Sequence, residues 1–364
     1  MKKQYIIPIF VSNLGCPLNC IFCDQKKISG KKQMITPEEV RNTIDAYLEN
    51  LKEPIKPEIA FFGGSFTAIA KQKQEELLKV AYEYIKNGKV ESIRISTRPD
   101  AINKEILKML KQYKVKTIEL GVQTSNNYIL KRCRRGHTFE DVKKASKLIR
   151  WNGFTLGHQM MVGLPDSTKL DELKTAKDLA KLKPKMVRIY PVLVIKGTDL
   201  EKEYKEGEYE PLSVMQAVER CKELSQFFKT KHIEVIRMAL QNTDEITKPE
   251  EENSSVVAGP YHPAFRQLVE DAIWYDKILD RIKKYNVKVK EVQITINPND
   301  VNMVVGHKKE NLQNLKDLYD VDMKVIQKEE IKPGRFEMQI LKTYQDFLDD
   351  EENIKKAKKK KIKL

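Results

Sequence analysis

The chain of 364 residues is 40% hydrophobic and 33% charged, a globular balance with room for one large core and a small appended domain. No apolar run reaches the roughly 20 residues that a membrane-spanning helix requires, and five cysteines, three of them clustered, exclude a disulfide framework and point to a reducing, cytoplasmic setting. A formal net charge of +15 favours a polyanionic partner, although seven lysines in the last ten residues supply almost half of it.

The first ten residues, MKKQYIIPIF, are too short an apolar run for a signal peptide, and Tyr5–Val11 reads as a first strand. It leads into Gly15-Cys16-Pro17-Leu18-Asn19-Cys20-Ile21-Phe22-Cys23, with cysteines spaced C-x3-C-x2-C. Thiolates are ligands for soft metal centres, and three this close can hold three irons of a [4Fe-4S] cube. The fourth iron is then open to a small chelating molecule. Zinc prefers four closed ligands, and no further Cys or His pair lies nearby to complete such a set. Cys16, Cys20 and Cys23 are therefore the candidate metal ligands.

Strands and helices alternate from there. Thr36-Pro37-Glu38-Glu39 supplies an N-cap, a proline at the first helical position and acids in the first turn, so a helix is expected to about Leu51. Strands are expected at Glu58–Phe62, Ser92–Thr97, Thr117–Val122, Phe154–Val162, Met186–Val194 and Glu234–Arg237, with helical stretches between them. Repeated βα units of this kind predict parallel strands with right-handed crossovers, an α/β partial barrel of about six units. Chemistry in such barrels lies at the carboxyl ends of the strands. Most of the conspicuous blocks fall at or just after a strand's end: Gly63-Gly64-Ser65, Ser96-Thr97-Arg98, Gly121-Val122-Gln123 with Arg134-Arg135-Gly136-His137-Thr138 following after one helix, Gln159 with Gly163-Leu164-Pro165, and Arg188-Ile189-Tyr190-Pro191 running on to Lys196-Gly197-Thr198. Paired glycines let a backbone approach a ligand closely, and an arginine presents a fixed fork that suits a carboxylate.

The cysteine spacing, with Phe22 before the last cysteine, resembles the signature of the radical S-adenosylmethionine (SAM) superfamily. That resemblance implies a [4Fe-4S] cluster whose open iron binds the amino and carboxylate groups of SAM. It also implies an electron from a flavodoxin- or ferredoxin-like donor and reductive cleavage to a 5′-deoxyadenosyl radical. The GVQ, RRGHT, GLP, RIYP-x-LVIKGT and QNTDE blocks resemble, in the same order, the radical SAM half of the Elongator catalytic subunit, which modifies wobble uridine in tRNA. The likeness spans residues 4–248. It implies SAM contacts at Gln123, Arg135 and Gln159, with Gly63, Gly64 and Ser65 at the methionine end. Ser96 stands where that family tends to have an acid. The cysteine loop is shorter than Elongator's, and no acetyltransferase domain or glycine-rich coenzyme A loop follows Asp244. RNA modification is the reading this supports. Oxygen-independent coproporphyrinogen oxidases share the GVQ and GLP blocks and supply a tetrapyrrole alternative. An RNA-binding or cluster-sensing protein without turnover is a third. Tyr190 and Lys196 are weaker candidates for substrate contact, whereas His137 and His158 read as scaffold and Cys133 and Cys221 as half-buried thiols.

Domain bounds are expected at 1–248 for the barrel, 249–342 for a small α+β domain and 343–364 for a disordered basic tail. In the second domain Gly306-His307-Lys308-Lys309 lies between two helices flanked by strands. This resembles a KH domain with a degenerate GXXG loop, and implies that Lys308 and Lys309 hold nucleic-acid phosphates.

Overall fold

The structure, a computed structural model, describes residues 5–11, 20–24, 34–51, 55–243 and 245–361. Cys16 lies outside them. The chain divides into two compact units, Met1–Pro263 and Ala264–Leu364. In the first, seven parallel strands form one curled half-barrel sheet: β1 (Ile6–Val11), β2 (Glu58–Gly63), β3 (Ser92–Thr97), β4 (Val115–Gln123), β5 (Thr155–Val162), β6 (Met186–Pro191) and a seventh, Glu234–Met238, beside β6. The intervening helices include α1 (Pro37–Glu49), α2 (Lys71–Lys86), α3 (Lys104–Gln112), α4 (Asn127–Arg132), α5 (Phe139–Trp151) and α6 (Lys169–Lys181).

Local chemistry explains the helix starts. Thr36, Thr138 and Thr168 each accept a hydrogen bond from the third helical N–H, while Glu39, Asp141 and Asp171 reach back to the cap. The expected strand Met186–Val194 is instead divided. After Pro191 the chain leaves the large sheet, and β7 (Val194–Ile195) pairs antiparallel with Val256–Ala258. Ile246 and Val256 are buried against Leu193 and Ile195. Residues 249–263 are therefore built into the first unit, and the division falls at 263/264 rather than 248/249.

The second unit has a sheet in the order Asp322–Gln327, Val289–Ile296, Phe336–Thr343. The central strand is parallel to the first and antiparallel to the last. Helix Phe265–Ile282 and the pair Val301–Val305 and Glu310–Tyr319 cover it, burying Trp274, Ile278, Val292, Ile294, Val304 and Leu315 in one core. The strand–helix–loop–helix–strand order agrees with expectation. Residues 344–361 do not: they form a helix in place of the irregular tail. Two ion pairs lie along it, Lys342 of the preceding strand to Asp350 at 2.8 Å and Lys355 to Glu351 at 3.7 Å.

Candidate active site

At the carboxyl ends of the barrel strands a cavity of about 210 Å³ opens. Its wall includes Cys23, Gly63, Ser96, Gln123, Arg135, Gln159 and Tyr190, residues far apart in sequence that the parallel topology brings together. Gly64, Ser65 and Lys196 are not in that wall. Ser65 is buried, with its Oγ 2.8 Å from Thr97 Oγ1 and accepting from the Arg98 N–H at 3.1 Å. It fastens the end of β2 to the end of β3. Lys196 is exposed on the turn after β7. Gly63 has φ +103°, and a Cβ there would stand 2.5 Å from the carbonyl oxygen of Val11, so β1 alone already requires glycine.

The cysteine segment is anchored at its carboxyl half. Cys20, Ile21 and Phe22 pack with Cys133, Leu164 and Val192, and Ile21 exchanges backbone hydrogen bonds with Cys133 and Leu200. Cys20 is 5% exposed. Arg135 Nη1 donates to its sulfur at 3.2 Å, and Nη2 donates to the carbonyl of Gly121 at 2.9 Å. A Cβ on Gly121 would lie 3.2 Å from Gln123 Nε2 and 3.4 Å from Arg135 Nη2, so a bare backbone lets both side chains converge. Gln123 itself sits at φ +69° beside a register break between β4 and β5. A strained non-glycine residue at the mouth of a barrel is a mark of a working site.

Beneath the cavity lies a buried ion chain. Arg94 bridges Glu58 at 2.6 Å and Glu119 at 2.7 Å, and Arg188 meets the other side of Glu119 at 2.5 Å. Burial pushes the Glu119 carboxyl upward, but Arg188 and Arg94 outweigh it and hold the group below the usual carboxylate range. Gln159 donates to Glu119 at 3.0 Å and to Ser96 Oγ at 3.1 Å. Glu119 thus orients Gln159 from below, and the Ser96 hydroxyl accepts from the same amide nitrogen. Arg188 lies 4.8 Å from the centre of the Phe62 ring, and both line the cavity. Tyr190 is raised above the ordinary phenol range, by burial first, so it is neutral near pH 7.

Sequence reasoning gave no site role to Glu119, Arg237 or Phe62, and none to Arg188 beyond its place in the RIYP block. A signal was present: Glu58, Arg94, Glu119 and Arg188 each interrupt an apolar strand, and lone charges in buried strands must find partners. Both histidines are buried outside the cavity wall; His158 has a hydrogen-bond partner, whereas both ring nitrogens of His137 have none. His158 Nε2 is 2.9 Å from Ser146 Oγ, and burial lowers it to about 3. His137 is lowered to about 4 by burial and by Arg135 and Arg98. Cys133 and Cys221 are both fully buried, and burial raises each thiol above its ordinary range.

The donors suit a soft metal centre with a carboxylate-bearing ligand. Cys23 is in the wall and Cys20 stands behind it. Arg135, 8% exposed, keeps a buried Nε without a hydrogen-bond partner, the kind of donor that a bound anion satisfies.

Among known proteins, the family model described as the Radical SAM superfamily matches residues 11–179, and the Radical_SAM C-terminal domain matches 184–275. A tRNA uridine(34) acetyltransferase of Methanocaldococcus jannaschii is 31% identical over 255 residues, covering 59% of this chain and 47% of the relative. The chain thus spans about half of that relative's length. An uncharacterized protein of the same organism is 33% identical, covering 60% of this chain and 70% of its own. The solved structure of archaeal Methanocaldococcus infernus Elp3, deleted at its N-terminus, superposes with a TM-score of 0.58 at 24% identity, covering 76% of this chain and 63% of that one.

Proposed function

The chain belongs to the radical SAM superfamily, whose cofactors are a [4Fe-4S] cluster and SAM, and on that premise we propose that it is an Elongator-like enzyme acting on tRNA or another RNA. When bound, the cluster and SAM supply a 5′-deoxyadenosyl radical that takes hydrogen from a substrate. Cys20 and Cys23, together with Cys16 outside the described residues, would hold the cluster. Arg135 would take the SAM carboxylate through its unsatisfied Nε, and the backbone at Gly63-Gly64 would lie at the methionine end. Gln123, Ser96 and Gln159 would position the nucleoside part, with Gln159 aimed by Glu119. Phe10, Phe62 and Met161 give the cavity an apolar wall that keeps water from a reactive intermediate.

The observation that carries this reading is the convergence of Cys23, Arg135, Gln123 and Gln159 on one cavity at the strand ends. An RNA substrate is supported by the relatives named tRNA uridine(34) acetyltransferase and by the net charge of +15. The second unit supports it too. In its GHKK loop, Lys308 and Lys309 stand at φ +51° and +66°, held there by the His307 N–H on Asp271 Oδ2 at 2.8 Å and by Asn311 beneath Gly306. We assign these two lysines to RNA phosphates and the KH-like unit to RNA docking. Among the described residues no helix is long and apolar enough to cross a membrane.

The test is anaerobic reconstitution followed by a 5′-deoxyadenosine assay with and without RNA. Oxygen-sensitive loading of four irons and formation of 5′-deoxyadenosine are expected, and Cys20→Ala should lose both, since a three-thiolate site cannot spare a ligand. Tight stoichiometric zinc in the wild type, or full iron loading in the variant, would overturn the assignment.

A further inference from the structure

We propose that Arg135 sets the reduction potential of the cluster through Cys20, in addition to any contact it makes with SAM. This rests on the cluster reading above. The guanidinium is not a mobile surface group. The N–H of Arg135 donates to the Leu130 carbonyl at 2.9 Å, and its own carbonyl accepts from Arg98 Nη2 at 2.8 Å. Arg98 is in turn held by both oxygens of Asp100, at 3.0 and 2.8 Å. With Nη2 spent on Gly121, the geometry leaves Nη1 directed at the sulfur of Cys20, 3.2 Å away.

Cys20 is fixed as well, by its apolar packing and by the turn in which Cys23 N–H donates to the Cys20 carbonyl at 3.0 Å. Donor and sulfur are therefore locked to each other from two separate parts of the chain. The described residues of the cavity wall include three arginines and no Asp or Glu. A cationic N–H on a ligating thiolate withdraws electron density from it. That favours the reduced, more negative state of a cluster the thiolate holds, and second-sphere hydrogen bonds of this kind are a principal control of iron–sulfur potentials. Arg135 is thus a tuning residue that acts through Cys20.

The experiment compares wild type, R135Q and R135K after anaerobic reconstitution, recording iron content, SAM affinity and the midpoint potential of the SAM-free cluster by EPR-monitored redox titration. R135Q loses the cation and should show a lower potential; a tenfold weaker preference for the reduced state reads as a fall of about 59 mV for one electron. R135K keeps the charge but cannot span both Gly121 and Cys20, so its potential should fall part of the way. If R135Q fails to take up iron, R135K decides the matter. A loaded variant with the wild-type potential overturns the proposal, and does so even if SAM affinity drops, because that pattern leaves Arg135 as a ligand contact alone. A wild type that loads no four-iron cluster overturns the cluster reading and this inference with it.

Discussion

Arg135 shows how much work one buried side chain can carry. Of its three nitrogens, Nη2 donates to a backbone carbonyl and Nη1 to a cysteine sulfur, while Nε is buried without a hydrogen-bond partner. Removing it should weaken SAM binding by about 2–5 kcal/mol, the range for truncating one partner of a buried charge-assisted pair. Isothermal titration of reconstituted Arg135→Ala with SAM measures this, at equal iron content. Affinity equal to wild type would show that the guanidinium serves Cys20 and nothing in the cavity. Gln123 was recognisable from its GVQ block, but its left-handed backbone was not, because no local residue pattern demands φ +69° there. The strain is imposed by the register break against β5.

At the scale of elements, the strands are joined by charge as well as by backbone ladders. Glu58 on β2, Arg94 on β3, Glu119 on β4 and Arg188 on β6 form one dry network. Glu119→Gln would leave two arginines facing a neutral amide, and losing one partner of a buried pair costs about 3–5 kcal/mol. A fall in the urea midpoint at unchanged slope, with Gln159 losing its support and SAM affinity declining, is the expected result. Stability within about 0.5 kcal/mol of wild type would mean that the network is solvated in solution. The carboxyl-terminal helix argues the same point from the other side. Residues 344–361 read as a charged tail, yet Thr343 accepts from Asp346 N–H and the Asp346 carboxylate accepts from Thr343, a reciprocal cap that starts the helix.

For the whole molecule, two buried histidines tie stability to pH. His137 and His158 are lowered to about 4 and about 3, whereas in the unfolded chain each titrates near about 6.5. Their folded values are depressed, so the stability they contribute is complete above pH ~6.5 and is lost as pH falls toward the folded values. Each should remove about 1.4 kcal/mol per pH unit in that window. Denaturant midpoints from pH 7.5 to 5 should decline with this slope, and His158→Asn should flatten it; an unchanged slope in the variant would show that the ring titrates normally. A second whole-molecule prediction concerns RNA. Affinity should fall steeply with salt as phosphate contacts release counterions. Deleting residues 355–364 should flatten the salt slope, and adding Lys308→Asp with Lys309→Asp should abolish the remaining binding. No binding at low salt in the full chain would overturn the assignment of the second unit to RNA docking.

Much of the molecule was legible in the residues themselves. The apolar strand runs and the T-x-x-E/D caps are local features, and local chemistry decides them: which stretches form strands and which helix starts where. The order of βα units followed, because right-handed crossovers leave a parallel sheet few alternatives. What only the tertiary structure decided are matters of convergence. Arg135 and Cys20 are 115 residues apart, and Glu119 and Arg188 are 69 apart, so no spacing rule could join them. The same holds for Val256–Ala258, a short segment made a strand solely by β7 across from it. A side chain's partner across a sheet is set by register, and register belongs to the folded barrel.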